Sequence, residues 1–270
     1  MARLGQHFLT DRGALGDIVR ASGVTAGAPT LEIGPGRGAL TRPLLDAGAR
    51  VTAIEADGAF AAALPGALKS PDLTVVHEDF LRFDLSSLAK GPWLVIGNLP
   101  YAVGTPILQK ILRWDGWTTA TLMFQKEVAL RLVAGAGGPD YGLLSLSVRL
   151  RADAEIALEL PPSAFRPRPR VDSAVVLLRR LAAPRVPARD EAMFWRLAKS
   201  AFGQRRKMAA SVLAKTFGVP RAEMERAFAA VGVASSARPE EIAFEAWAEL
   251  ASALSRTGPE KSGDACPRPA

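Results

Sequence analysis

Between Thr30 and Phe124 the chain repeats one pattern, a short apolar, β-branched run followed by a helical one. The runs are TLEI (30–33), RVTAI (50–54), LTVVH (73–77), WLVI (93–96) and TATLMF (119–124). Strands parted by helices cannot pair as hairpins, so the pattern predicts a parallel sheet with right-handed crossovers, an α/β Rossmann-like domain. Helical stretches such as ALTRPLLDAG and GAFAAALPGALK lie between them, and Pro65 is expected to end the second early. GLLSLSVRLR and VDSAVVLLRRL read as two more strands, antiparallel additions at the sheet's end. A Pro-rich charged linker, APRVPARDE (183–191), precedes the helix-compatible segments EAMFWRLAKSAF, QRRKMAASVLAKTF, PRAEMERAFAAVG and PEEIAFEAWAELASAL. The expected organisation is a sheet domain over 1–182, a small all-α domain over 189–255 and a disordered tail over 256–270.

Composition removes several function classes. The 270 residues are 49% hydrophobic and 23% charged, enough for a sizeable core. The first residues, MARLGQHFLTDRGAL, have no apolar signal-peptide region, and no run of eighteen apolar residues suggests a membrane span. A single cysteine, Cys266, and two distant histidines, His7 and His77, argue against disulfides and against a metal site. The expectation is a soluble, cytoplasmic, monomeric protein. Net charge is +7, and its distribution is uneven. Ser163 to Lys215 holds thirteen Arg or Lys against Asp172, Asp190 and Glu191, whereas the remainder has twenty-one basic and twenty-four acidic residues. All of the positive excess therefore sits in one segment, the footprint of a nucleic-acid backbone. An anionic membrane surface is the competing reading, but no amphipathic anchor or lipidation motif accompanies the charge.

The first strand runs into Gly34-Pro35-Gly36-Arg37-Gly38, a turn whose glycines let backbone approach a ligand. Glu55 follows the second strand, where an acid can take ribose hydroxyls. NAD, FAD and S-adenosylmethionine sites share this much. The loop is not G-x-G-x-x-G, which counts against a dinucleotide. Asp79 and Asn98, after the third and fourth strands, should converge on the same crevice. Asp79 is placed to accept from an adenine amino group, with Phe80 against the ring face.

Gly97-Asn98-Leu99-Pro100-Tyr101 closes the fourth strand with an amide, a proline and one of only 2 tyrosines. An adenine amine is a poor nucleophile because its lone pair is delocalised into the ring. Two acceptors for its N–H groups, the Asn98 side-chain oxygen and the Leu99 carbonyl, favour pyramidalisation and localise that pair toward an incoming methyl group. Pro100 stiffens the loop, and Tyr101 offers a face to an extruded base.

GQHFLTD, LEIGPGRGALT, IEAD, EDFLRFD, GNLPY, QKEVALRLVA and FRPRPRVDSAV, in this order, closely resemble the ribosomal RNA adenine dimethyltransferase family over about residues 3–255. Within it the chain is most similar to the bacterial branch acting on small-subunit (16S) rRNA. The resemblance implies S-adenosylmethionine contacts at His7, Leu9, Gly34, Glu55, Asp79 and Asn98, with Gly36 and Phe80 beside them. It implies a target adenine held between Tyr101 and Phe165, and phosphate contacts from Arg166, Arg168 and Arg170. Arg205, Arg206 and Lys207 extend that basic set. The implied substrate is a pair of adjacent adenines in a hairpin loop of 16S rRNA within the 30S subunit, each methylated twice. His7 stands where the family usually has Asn, and Ala102-Val103 where it is usually polar. Macrolide-resistance 23S rRNA methyltransferases share the NLPY site and are the nearest rival. DNA adenine methyltransferases, a non-catalytic assembly factor and an NAD-dependent dehydrogenase are weaker ones.

Overall fold

The apolar runs do become strands, and the chain crosses between them in an order that opens a crevice. The protein is described by a computed structural model over residues 7–89 and 91–257. In chain order its sheet-forming part contains β1 (Phe8–Leu9), α1 (Arg12–Ser22), β2 (Pro29–Ile33), α2 (Thr41–Asp46), β3 (Arg50–Glu55), α3 (Gly58–Leu68), β4 (Leu73–His77) and β5 (Trp93–Asn98). Then follow α4 (Gly104–Arg113), β6 (Trp117–Gln125), α5 (Lys126–Val133), α6 (Leu143–Arg151), β7 (Ala152–Leu160), β8 (Phe165–Arg166) and β9 (Ser173–Arg180). Seven strands form one sheet in the order β4-β3-β2-β5-β6-β9-β7, and β1 and β8 form a separate ribbon. Only β9 runs against its neighbours, β6 and β7.

The strand sequences explain the layering. Consecutive residues point to opposite faces, and here each face has its own core. Val95, Leu122 and Val176 enter one apolar cluster, while their chain neighbours Ile96, Met123 and Val175 enter the other. A strand buried on both faces needs an unbroken apolar run, as WLVI supplies. The chain leaves β2 toward β3 and β4, then returns to β5 on the other side of β2. The loops after β2 and β5 therefore part at the strands' carboxyl ends.

Three local expectations need correction. GLLSLSVRLR is the helix α6, not a strand. Its alternation of apolar residues with serine imitates a half-exposed strand, but Ser145 and Ser147 are buried. The Ser147 hydroxyl donates back to Leu144 and that of Ser145 to Arg131, both to carbonyls. The second added strand instead comes from Ala152–Leu160. Pro65 does not end α3, which continues to Leu68. Near a C-terminus the proline removes one backbone bond, while Ala61 and Leu64 stay buried and the Pro65 carbonyl accepts from Lys69 N–H. Gln204–Arg206 form a turn, followed by the non-helical Lys207 and Met208, so the second of the four helical segments starts only at Ala209.

By its contacts the chain divides into two units, one with the residues up to Ala134 and Leu144–Ala183, the other with Gly135–Leu143 and the residues from Pro184 onward. The second is helical: α7 (Ala188–Phe202), α8 (Ala209–Phe217), α9 (Arg221–Ala230) and α10 (Phe244–Thr257) around buried Phe194, Leu213, Phe228 and Trp247. The linker read at 183–191 ends at Pro187, because Ala188–Glu191 already form the first turn of α7. Gly135–Leu143, which the sequence groups with the sheet, packs with this helical unit. Gly137 N–H donates to the Glu240 carbonyl, Arg205 donates to the carbonyls of Pro139 and Tyr141, and Tyr141 packs edge-on against Phe202. Of the tail read at 256–270, Arg256 and Thr257 close α10; the rest, with Cys266, lies outside the described residues. No described helix is long and apolar enough to cross a membrane.

Candidate active site

The glycine turn after β2 follows from its backbone torsions. Gly34, Gly36 and Gly38 all have positive φ, at 68°, 53° and 78°, where a β-carbon is strained. At Gly36 a β-carbon would also stand 2.9 Å from the Phe8 ring, and at Gly38 it would stand 2.7 Å from Leu64. Glu55, at the end of β3, ties this turn down. One carboxylate oxygen accepts from Gly36 N–H at 2.9 Å and the other from Asp57 N–H at 2.9 Å. Asp57 in turn caps α3 by accepting from the N–H groups of Ala59 and Phe60. Glu55 therefore shapes the rim of the pocket as well as lining it.

A second acid lies beneath that turn. Glu32 in β2 is 1% exposed, lines the same pocket, and its Oε2 has no hydrogen-bond partner among the described residues. Burial pushes its carboxyl up to about 7; the Thr41 hydroxyl lowers it in part and the Glu55 charge raises it. Sequence reasoning passed over Glu32, although one acid inside the apolar run TLEI was the available signal. A buried oxygen without a partner, on the floor of a pocket, suits a cationic or N–H-bearing ligand.

On the β4 side, Asp79 is exposed and Phe80 is buried, and both line the pocket. Asp79 Oδ1 accepts from Leu81 N–H at 2.9 Å, so the residue also stabilises its own turn.

The GNLPY loop completes the opposite wall. Asn98, which lines the pocket, donates one of its two Nδ2 hydrogens to the His7 carbonyl at 3.0 Å. The Tyr101 hydroxyl shares a 2.7 Å hydrogen bond with Ser173, and its ring lies 5.6 Å from that of His7. Partial burial raises the Tyr101 phenol above its ordinary range, offset in part by Ser173. His7 Nδ1 donates to the Pro167 carbonyl at 2.8 Å. In the departure from the usual polar pair, Ala102 is exposed, while Val103 packs on the core and lines the pocket.

His7, Phe8 and Leu9 are held over the pocket by the β1–β8 ribbon, in which Phe8 faces Arg166 and Leu9 faces Phe165. Phe8 was not foreseen; its ring lies against Gly36. The ribbon also corrects one expectation. Phe165 is not an exposed half of a base clamp: it is 0% exposed, packed in the apolar cluster with Leu9, Leu160, Ala164 and Val175, and it does not line the pocket. The other expected residues, from His7 and Leu9 through Gly34, Gly36 and Glu55 to Asp79, Phe80 and Asn98–Tyr101, share one pocket. Arg166, Arg168 and Arg170 are exposed on the first unit, and Arg205, Arg206 and Lys207 on the second. Arg205 is committed inside its own unit, donating to two carbonyls and standing 3.6 Å from Glu240. Among the described residues no cluster of three or more His, Cys, Asp or Glu is arranged to hold a metal.

The chain is 45% identical over 261 residues to a ribosomal RNA small subunit methyltransferase A of Dinoroseobacter shibae, covering 92% of this chain and 89% of that one. It is 38% identical to the protein of the same name from Clostridium acetobutylicum, covering 94% and 93%. Among solved structures, the 23S rRNA methyltransferase ErmE aligns with a TM-score of 0.75 at 29% identity, covering 92% of this chain and 99% of that one. A dimethyladenosine transferase from Plasmodium falciparum shares the fold, with a TM-score of 0.78 at 22% identity, covering 90% and 96%. The family model described as ribosomal RNA adenine dimethylase matches residues 1–255, and the chain belongs to that family.

Proposed function

We propose that this protein is an S-adenosylmethionine-dependent N6,N6-dimethyltransferase acting on two adjacent adenosines of a hairpin loop near the 3′ end of 16S rRNA. In this reading it works in the cytoplasm, as a monomer and without a metal, on the small ribosomal subunit during its assembly. The observation that carries the reading is the amide orientation at Asn98. One of its two Nδ2 hydrogens goes to the His7 carbonyl, and in this reading its oxygen is the group offered to a donor in the pocket.

The residues present suit the cofactor. In this reading Glu55 takes ribose hydroxyls and Asp79 an adenine amino group, and both line the pocket. Glu32 supplies an orphan oxygen at the level of the glycine turn, and the turn itself admits close backbone approach. When bound, S-adenosylmethionine supplies an electrophilic methyl group on a cationic sulfur.

The chain's own groups then prepare the acceptor. Asn98 Oδ1 and the Leu99 carbonyl take the two amine hydrogens, drawing the nitrogen toward a tetrahedral shape with its lone pair aimed into the pocket. Tyr101, held by Ser173, offers its face to the extruded base, offsetting the few kcal/mol that extrusion costs. With Phe165 in the core, its part is to support the ribbon rather than to stack. The methylated ammonium is acidic enough to lose its proton to water, so no side chain must act as a base; positioning and aligned dipoles carry the rate. Single-stranded loops make such extrusion easier than a duplex. Arg166, Arg168, Arg170, Arg206 and Lys207 supply phosphate contacts in this reading.

Incubating the protein with labelled S-adenosylmethionine and unmethylated 30S particles is expected to label 16S rRNA at dimethyladenosine. Label found only in 23S rRNA or in DNA would overturn the assignment, and no label in any of them would favour a binding role.

A further inference from the structure

A lysine on the pocket-lining helix has its charge turned inward. Lys110 lies on α4, which begins three residues after Tyr101 and contributes Ile107 to the pocket. Its Nζ donates to the carbonyls of Phe80 (2.7 Å), Leu81 (3.0 Å) and Phe83 (2.5 Å). An ammonium has three donors, and all three go to one short stretch of chain. The same ammonium lies 5.3 Å from the centre of the Phe80 ring. Burial lowers its affinity for a proton, while the charges of Asp79, Glu78 and Asp84 oppose that effect. A lysine that merely solvates a helix keeps its head in water; this one closes a turn. That turn, sealed by Arg82 and Phe83 N–H groups donating to the Asp79 carbonyl, carries the two residues that line the adenine side of the pocket.

We propose that Lys110 is a positioning residue for the adenine end of the cofactor, fixing the Asp79–Phe83 turn from the helix that follows the GNLPY loop. The inference rests on the reading that the pocket takes S-adenosylmethionine. It joins two walls that are distant in sequence, and no motif in the chain includes Lys110.

Calorimetric titration of the full chain tests it with two probes, S-adenosylhomocysteine and 5′-methylthioadenosine, which keeps adenine and ribose but lacks the amino acid. Lys110→Met is expected to weaken both by the same factor, roughly tenfold or more, as loss of charge-assisted hydrogen bonds implies. It raises the KM for S-adenosylmethionine while kcat stays within about twofold. Lys110→Arg recovers part of the affinity, and adding Asp79→Asn to Lys110→Met costs less than the two changes separately. If Lys110→Met binds both probes like the wild type while Asp79→Asn weakens them, the proposal fails and the pocket reading stands. If the wild type binds neither probe, the pocket reading fails first. Should Lys110→Met not fold, Lys110→Gln carries the same test: an intermediate, equal loss supports the role, and unchanged affinity overturns it.

Discussion

Asn98 donates a side-chain hydrogen bond to a backbone carbonyl ninety-one residues earlier. Replacing it with alanine removes an acceptor used in the transition state, so kcat is expected to fall by about 10²–10³. Cofactor affinity, read by calorimetry, should change far less; turnover near wild type would remove Asn98 from the chemistry. Glu32 makes the opposite kind of prediction. Its folded carboxyl, near 7, lies above the ordinary 4.5. Between those values the folded state holds a proton that the unfolded state has released, so stability falls as pH rises through the window. The full cost above it is about 3 kcal/mol. Thermal melts of the cofactor-free protein from about pH 5 to about pH 8 should show this loss, and Glu32→Gln should flatten it. A pH-independent difference between the two proteins would refute the buried acid. At this scale Glu55, Asp79 and Asn98 were legible because each ends, or closely follows, a recognisable strand. Glu32 and Lys110 were not, since burial and a three-carbonyl grip leave no mark on local pattern.

Elements were legible wherever the apolar period matched a single outcome. WLVI is short, apolar and rich in β-branched residues, and as a strand it sends Trp93 and Val95 to one core and Ile96 to the other. The serines of α6 defeated the same logic, because local hydroxyl bonds let polar residues hide inside a helix. The β1–β8 ribbon was beyond reach altogether. Its strands have two residues each and pair across more than 150 positions, so neither periodicity nor turn chemistry announces them. A prediction belongs to this ribbon. Phe165→Leu preserves an apolar filling, so it is expected to cost about 1 kcal/mol in denaturant unfolding and to leave kcat within a few-fold. Loss of kcat with cofactor binding intact would return Phe165 to the reaction and overturn its role as support.

Across the whole molecule, the concentration of positive charge read from the sequence divides by use. Arg205, Arg206 and Lys207 are all exposed, but Arg205 also donates to Pro139 and Tyr141 and stands beside Glu240. Reversing Arg206 and Lys207 to Glu is expected to weaken RNA binding and to reduce the salt slope of log K, by roughly 0.7 for each phosphate of single-stranded RNA that is no longer neutralised. An unchanged slope would exclude both from the interface. Arg205→Ala should instead lower the melting temperature by loosening Gly135–Leu143, a segment whose membership in the helical unit no linker composition revealed. The order in which the chain is made adds a timing to the site. A growing polypeptide reaches its glycine turn, its acids and Asn98 early, yet Phe8–Leu9 gain a strand to pair with only once Phe165–Arg166 has emerged, and Tyr101 gains its hydroxyl partner only with Ser173. The pocket therefore acquires its roof late in translation, after the rest of its wall has been synthesised.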